Sequence, residues 1–191
     1  MRKLIMWNIV TLDGYFEGEK KWDLSFHDQV WGPELEKLSL EQLRSADYLI
    51  VGRVTYEGMA AYWKNAESEN SEIARLMNSL PKLVFSTTLK PADLMAIGWN
   101  NATLATGGVP EEISRLKAQD GKNMYVFGSA DLSRTLIEND LFDEYRIGIA
   151  PVILGNGTRL FKSGTPGTNL RLVSTLPLSP GGVVLRFEKK S

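Results

Sequence analysis

Strand and helix signals alternate along this chain from Lys3 to Asn139, after which the helical signal stops. Apolar runs at Lys3 to Val10, Tyr48 to Val51, Lys82 to Ser86, Ala102 to Ala105 and Asn123 to Phe127 read as strands. Between them, Gly32 to Ser45 repeats Leu35, Leu38 and Gln42 or Leu43 at helical spacing, and Val109 to Gln119 is a second amphipathic segment. Shorter helices fit Thr55 to Trp63, Glu69 to Leu80 and Ala130 to Asn139. Helices between successive strands are the crossovers that a parallel sheet requires. From Glu144 onward only strands and turns remain, at Glu144 to Pro151, Leu170 to Leu178 and Val183 to Lys189, with "LSPGGVV" as a hairpin loop. The expected fold is α/β: a mixed, mostly parallel central sheet flanked by helices, with an antiparallel C-terminal hairpin. No linker, repeat or low-complexity segment divides residues 1–191, so a single domain is expected.

Composition narrows the chemistry. Lys plus Arg number 22 against 23 for Asp plus Glu, so no positive field draws the chain to nucleic acid or an anionic membrane. With Cys 0, thiolate nucleophiles and cysteine-ligated zinc are excluded. His27 is the one histidine, and its polar surroundings "SFHDQ" make it a surface residue on expectation, so neither a hydrolytic triad nor a metal centre is expected. Any difficult chemistry then belongs to a borrowed cofactor. The apolar run after Arg2 and Lys3 is short, broken by Asn8 and followed by Asp13, unlike a signal peptide, and no run is long enough to span a bilayer. A cytoplasmic protein is expected.

Ligands of open α/β sheets bind beyond the carboxyl ends of the strands, and four such ends carry informative residues. "DYLIV" runs into "GRVTYEGM", placing Gly52, Arg53 and Thr55 at a helix start. Two interpretations compete: a glycine corner with Thr55 as helix cap, or a phosphate site built from helix N–H groups, a guanidinium and a hydroxyl. "LVFSTTL" ends in Ser86, Thr87 and Thr88, and "ATGGVPEE" sets Gly107 and Gly108 before a helix. In "MYVFGSADLSRTLIE", Gly128 permits close backbone approach, and the N–H groups of Ser129, Ala130 and Asp131 suit a pyrophosphate, although the Asp131 carboxylate repels one.

The order G-R-x-T-x-E at Gly52 to Glu57 resembles the cofactor segment of dihydrofolate reductases. "TLDGYF", "FGSADL" and "LFDEYRIGIAPVILGNGTRLF" resemble more strongly a sister group, the C-terminal reductase domain of the bifunctional riboflavin-biosynthesis deaminase-reductase and its stand-alone bacterial relatives. That resemblance spans Lys3 to Phe187 and implies a dihydrofolate-reductase-like fold binding NADPH in an extended pose. It implies Gly52, Arg53 and Thr55 on phosphates, with Arg53, Ser86 and Thr87 near the 2′-phosphate and Gly128 to Ala130 on the pyrophosphate. Gly107 joins this set as a strand-end glycine. The loop from Thr11 to Gly14 is then expected to cover nicotinamide and substrate. The related domains also associate through the region of Ala150 to Phe161, so a homodimer through the C-terminal third is expected.

Two departures shape the expected substrate. The acidic candidates Asp28, Glu34 and Glu36 lack the sequence context of the pteridine-gripping carboxylate of dihydrofolate reductases. Phe127 stands where riboflavin-pathway reductases carry a glutamate. With Trp7, Tyr15, Phe16, Trp22 and Trp31, it implies a flatter or more apolar acceptor than a phosphosugar, and Tyr15, Trp22 and Phe127 are the expected substrate contacts. Asp13, the ionisable residue of the covering loop, is the candidate for orienting substrate or relaying a proton. The functions to weigh are therefore an NADPH-dependent reductase of a small organic molecule, a dihydrofolate reductase, and a dinucleotide-binding protein without turnover.

Overall fold

A computed structural model describes residues 2–66 and 71–190. Its strands are β1 (Leu4–Thr11), β2 (Tyr15–Glu17), β3 (Ala46–Gly52), β4 (Lys82–Phe85), β5 (Ala102–Leu104), β6 (Asn123–Phe127), β7 (Glu144–Ala150), β8 (Thr158–Arg159), β9 (Leu170–Pro177) and β10 (Val183–Lys189). Its helices are α1 (Pro33–Arg44), α2 (Arg53–Trp63), α3 (Glu72–Ser79), α4 (Pro91–Ile97), α5 (Val109–Lys117) and α6 (Ala130–Glu138). A 3-10 turn covers Ser25–Gln29.

Eight strands form one sheet in the order β5-β4-β3-β6-β1-β7-β10-β9. The pairs from β5 across to β7 are parallel, while β10 runs antiparallel to both β7 and β9. Side chains alternate across the pleat, so each central strand feeds two cores. Ile5 and Trp7 of β1, with Leu49 and Val51 of β3, pack against α1 to α4. Leu4 and Met6, with Ile50 and the β6 residues Met124 and Val126, pack against α5 and α6. Helices of 7 to 12 residues are too short to persist alone in water. Their stability comes from these apolar faces, at about 1.5–3 kcal/mol for each large side chain buried.

The mostly parallel, helix-flanked sheet with an antiparallel C-terminal pair is the architecture expected from the alternation of signals. Several local expectations need correction. Helix α2 begins at Arg53 with Gly52 as its N-cap, so Thr55 lies inside the first turn and makes no capping bond. Helix α4 was not anticipated, because seven residues bounded by Pro91 and the left-handed Gly98 show too little periodicity. Tyr15 and Phe16 belong to a short strand, absent from the expected elements, that pairs with β8. The helix expected over Glu69 to Leu80 runs Glu72–Ser79, and Glu69 and Asn70 lie outside the described residues. His27 is not a surface residue: its Nε2 is buried without a hydrogen-bond partner, and its ring meets Phe26 edge-on at 4.9 Å between centroids. Burial pushes its pKa down to about 4, with Asp28 opposing weakly. Among the described residues, no helix is long and apolar enough to cross a membrane.

Candidate dinucleotide cleft

Strands β3 and β6 are parallel neighbours, and their carboxyl ends lead into α2 and α6. Because α2 packs on one core and α6 on the other, the two helices leave the sheet on opposite faces and their first turns meet at its edge. Ser129 joins them: its hydroxyl donates to Thr55 Oγ1 at 2.7 Å and accepts the Gly52 N–H at 2.8 Å. Gly128 and Ser129 are consecutive left-handed residues, with φ of 65° and 60°. A Cβ on Gly128 would stand 3.2 Å from Thr55 Cγ2, so a side chain there would press on the neighbouring helix start. Serine in this conformation costs about 1–2 kcal/mol, which its two hydrogen bonds offset. Backbone strain of this kind concentrates at functional sites.

Around this junction lies a cleft of about 660 Å³. Gly52, Arg53 and Thr55, Ser86 and Thr87, Gly107, and Ser129 and Ala130 all line it. Gly128 is not a lining residue but sits directly behind Thr55. The starts of α2, α5 and α6 border the same space, and none carries a side-chain cap. Helix starts concentrate N–H donors and positive potential. Arg53 pairs with Glu57 one turn along at 3.1 Å on an exposed surface. Ser86 Oγ accepts the N–H groups of Thr88 at 3.1 Å and Leu89 at 2.9 Å, shaping the turn, while the exposed Thr87 hydroxyl makes no hydrogen bond among the described residues. Glu112 steadies the glycine turn by accepting from Gly107 N–H and Thr106 Oγ1, each at 3.2 Å. Its hydrogen bond from Arg115 holds its pKa below the usual range.

Of the opposite wall, sequence reasoning names only Phe16, as a substrate-pocket aromatic, and misses Glu17, Thr158 and Lys162. Phe16, Glu17, Thr158 and Lys162 reach the cleft from β2, β8 and the segment that follows. Lys162 Nζ donates to Asp131 Oδ1 at 2.5 Å across 31 positions of sequence. A long-range pair of this kind leaves no local signature. The "GNGTRLF" run just before Lys162 was the available signal, and it pointed to assembly instead.

The expected substrate residues stand apart from this cleft. Asp13 closes the loop after β1: its carboxylate accepts from Thr11 Oγ1 at 2.6 Å, Gly155 N–H at 2.7 Å and Leu154 N–H at 3.2 Å. The Thr11 bond, reinforced by these backbone donors, lowers its pKa to about 2, so it is an anion at neutral pH and an acceptor instead of an acid. Tyr15 is buried, its hydroxyl donating to Gly155 O at 3.2 Å and its ring lying under Arg159 at 4.6 Å. Trp22, left-handed with φ of 66°, rests its indole on Gly58 of α2, and its backbone N–H donates to Glu17 Oε1 at 2.5 Å. Phe127 stacks on Tyr125 at 6.0 Å and packs against the first core.

A mostly parallel sheet with a strand inserted between β3 and β1, and a cleft at that crossover, defines a dihydrofolate-reductase-like protein. The chain belongs to the RibD C-terminal domain family, whose model matches residues 2–184. It is 33% identical over 191 residues to the protein YyaP of Bacillus subtilis (strain 168), covering 97% of this chain and 94% of that protein. The putative riboflavin biosynthesis protein from Shewanella sp. PV-4 has a similar structure, with TM-score 0.75, 20% identity and 100% of both chains covered. Dihydrofolate reductase from Enterococcus faecalis, solved with NADP(H), shares the fold at TM-score 0.62 and 13% identity, covering 100% of this chain and 97% of that one.

Proposed function

We propose that this chain is an NADPH-dependent reductase that transfers hydride to a small organic substrate. The observation that carries this reading is the cleft in which the starts of α2, α5 and α6 meet a guanidinium and a row of hydroxyls. The donor set fits a dinucleotide: backbone N–H groups suit the pyrophosphate, Arg53 with Ser86 and Thr87 suits a 2′-phosphate, and the glycines at 52 and 107 leave backbone bare on the cleft for close approach, while Gly128 behind Thr55 lets the two helix starts pack together. The related fold of the Enterococcus faecalis enzyme, solved with NADP(H), supports the choice of cofactor. NADPH, when bound, would supply hydride from its nicotinamide. The chain's own task is to hold the acceptor against that ring and to exclude water.

Asp13 fits that task as an ionised anchor that fixes the loop after β1 to Leu154 and Gly155. Of the expected aromatics, Trp22 and Phe127 keep part of their surface exposed while Tyr15 is buried, and the two partly exposed rings suit a flat or apolar acceptor. Dihydrofolate is the weaker substrate assignment, because α1 buries Leu35, Gln42 and Leu43 and no carboxylate. The test is titration with NADPH, followed by loss of NADPH absorbance against a panel of carbonyls, imines and pterins. Binding with turnover of a non-pterin acceptor is the expected result. Turnover of dihydrofolate would favour the pterin assignment, binding without any turnover a sensing or assembly role, and absence of NADPH binding would overturn the proposal.

A further inference from the structure

Four charged residues line the cleft: Glu17, Arg53, Asp131 and Lys162. Their signs cancel, which is a poor field for a ligand carrying several phosphate charges. Asp131 is the sharpest objection, since it stands in the first turn of α6, where a pyrophosphate would be held. Its carboxylate is paired with Lys162, whose side chain is 35% exposed, while that of Asp131 is 87% exposed. The root of the lysine is fixed, because both the N–H and the hydroxyl of Thr165 donate to the Lys162 carbonyl, at 3.1 and 2.8 Å.

We propose that Lys162 is a phosphate-binding residue of this cleft and that Asp131 holds it in place until a ligand phosphate displaces the carboxylate. The inference rests on the dinucleotide reading given above. Three physical points support it. A helix start favours an anion, and Asp131 occupies that position with the only negative group in the first turn of α6. A phosphate carries more charge than a carboxylate and offers more acceptor oxygens, so it outcompetes Asp131 for the ammonium group. Asp131 is almost fully solvated already, so releasing it to water costs little. Lys162 comes from the C-terminal third, whereas Arg53 comes from α2, so the ligand would be gripped from both walls. Because the start of α6 faces the pyrophosphate, which NADPH and NADH share, Lys162 acts on both cofactors alike.

The test is calorimetric titration of NADPH and NADH, at one low salt concentration, against wild type and the Lys162→Met, Lys162→Arg and Asp131→Asn variants, with thermal melts to confirm folding. Lys162→Met is expected to weaken both cofactors by about tenfold and by the same factor, as loss of one charge-assisted bond does. Lys162→Arg is expected to retain most of the affinity. Asp131→Asn removes the competing carboxylate while Thr165 still fixes the root of the lysine, so it tightens both cofactors several-fold. Unchanged affinity in Lys162→Met overturns the inference, and so does a loss confined to NADPH, which would move Lys162 to the 2′-phosphate. Weaker binding in Asp131→Asn overturns the role of the carboxylate, and this arm stands even if Lys162→Met fails to fold. Wild type that binds neither cofactor overturns the dinucleotide reading itself, an outcome separate from wild-type binding that survives Lys162→Met.

Discussion

The hydroxyl of Ser129 donates to Thr55 Oγ1 at 2.7 Å while accepting the Gly52 N–H at 2.8 Å, so one side chain couples the turn after β6 to the turn after β3. Two strand ends that the chain separates by 77 positions thereby share one geometry. Ser129→Ala would keep the left-handed strain and lose both bonds. The expected loss of stability is about 1–3 kcal/mol, the cost of leaving a half-buried N–H and hydroxyl unpaired. NADPH affinity should fall with it, because the two helix starts lose their fixed relation. Denaturant unfolding and cofactor titration of the same variant test this. A variant that keeps wild-type stability would remove Ser129 from the role of coupler.

The glycines and hydroxyls at strand ends were legible in the sequence because each is a local event: an apolar run, a corner, a helix start. Gly52, Ser86, Gly107 and Ser129 could therefore be named before it was known that they converge. The interpretation that makes Thr55 a cap fails because sequence spacing does not reveal which residue turns the corner, and Gly52 alone suffices. His27 was misjudged because polar neighbours in sequence do not report the apolar faces folded over a 3-10 turn. The wall carrying Glu17, Thr158 and Lys162 depends on the pairing of β2 with β8. Two such short strands, far apart in the chain, have no periodicity to announce them.

The C-terminal third offers a surface for self-association, and we propose that the chain forms a homodimer through it. Strand β9 is an edge strand of eight residues with Leu172 49% and Val173 37% exposed, and Ile153 and Phe161 are 74% and 48% exposed. A long, partly apolar edge invites pairing, and most soluble oligomers are two-fold dimers. Light scattering is expected to give twice the mass of 21.3 kDa. Leu172→Glu with Ile153→Lys is expected to shift it toward the monomer. A monomeric wild type at micromolar concentration would sink the proposal.

The chain is not expected to replace the riboflavin-pathway reductase. Phe127 sits at the carboxyl end of β6 with its ring stacked on Tyr125, 13° from parallel. An apolar ring neither accepts a hydrogen bond from a ribose chain nor carries a proton. Expression in a riboflavin auxotroph that lacks only the reductase step should give no growth without supplement. Growth would mean that the phosphosugar is accepted without an acidic group at this position.

His27 should give the fold an acid-sensitive step. Its pKa is about 4 in the folded chain against 6.5 for the free side chain, because burial penalises the imidazolium. Between those values the unfolded chain takes up a proton that the folded chain refuses, so stability falls as pH drops from about 6.5 to about 4. The full shift corresponds to about 3 kcal/mol as an upper estimate. Asp13 acts in a lower window, from 3.8 down to about 2, because its carboxylate is stabilised in the folded state and protonation there breaks the loop anchor. His27→Phe, which keeps an aromatic ring against Phe26 and removes the buried nitrogen, should flatten the upper window only. Denaturant unfolding across a pH series, wild type beside variant, tests the assignment, and an unchanged slope above pH 4 would exclude His27 as its source.

Arg53 should set the preference for NADPH over NADH. The two cofactors differ only in the 2′-phosphate, so discrimination must arise where that group lies. In the free protein the guanidinium is 42% exposed and rests on Glu57, a surface pair of small value that a phosphate can replace. Arginine can then contact two phosphate oxygens, with the exposed Thr87 hydroxyl and Ser86 beside it. A charge-assisted hydrogen bond contributes about 1.5–3 kcal/mol, so Arg53→Ala is expected to weaken NADPH by about ten- to a hundredfold and to leave NADH nearly unchanged. This pattern contrasts with Lys162→Met, for which both cofactors should weaken together. Titration of both cofactors at fixed ionic strength separates the two, since phosphate contacts are screened by salt. Equal affinity of wild type for NADPH and NADH, or an equal loss for both in Arg53→Ala, would reduce Arg53 to the surface partner of Glu57.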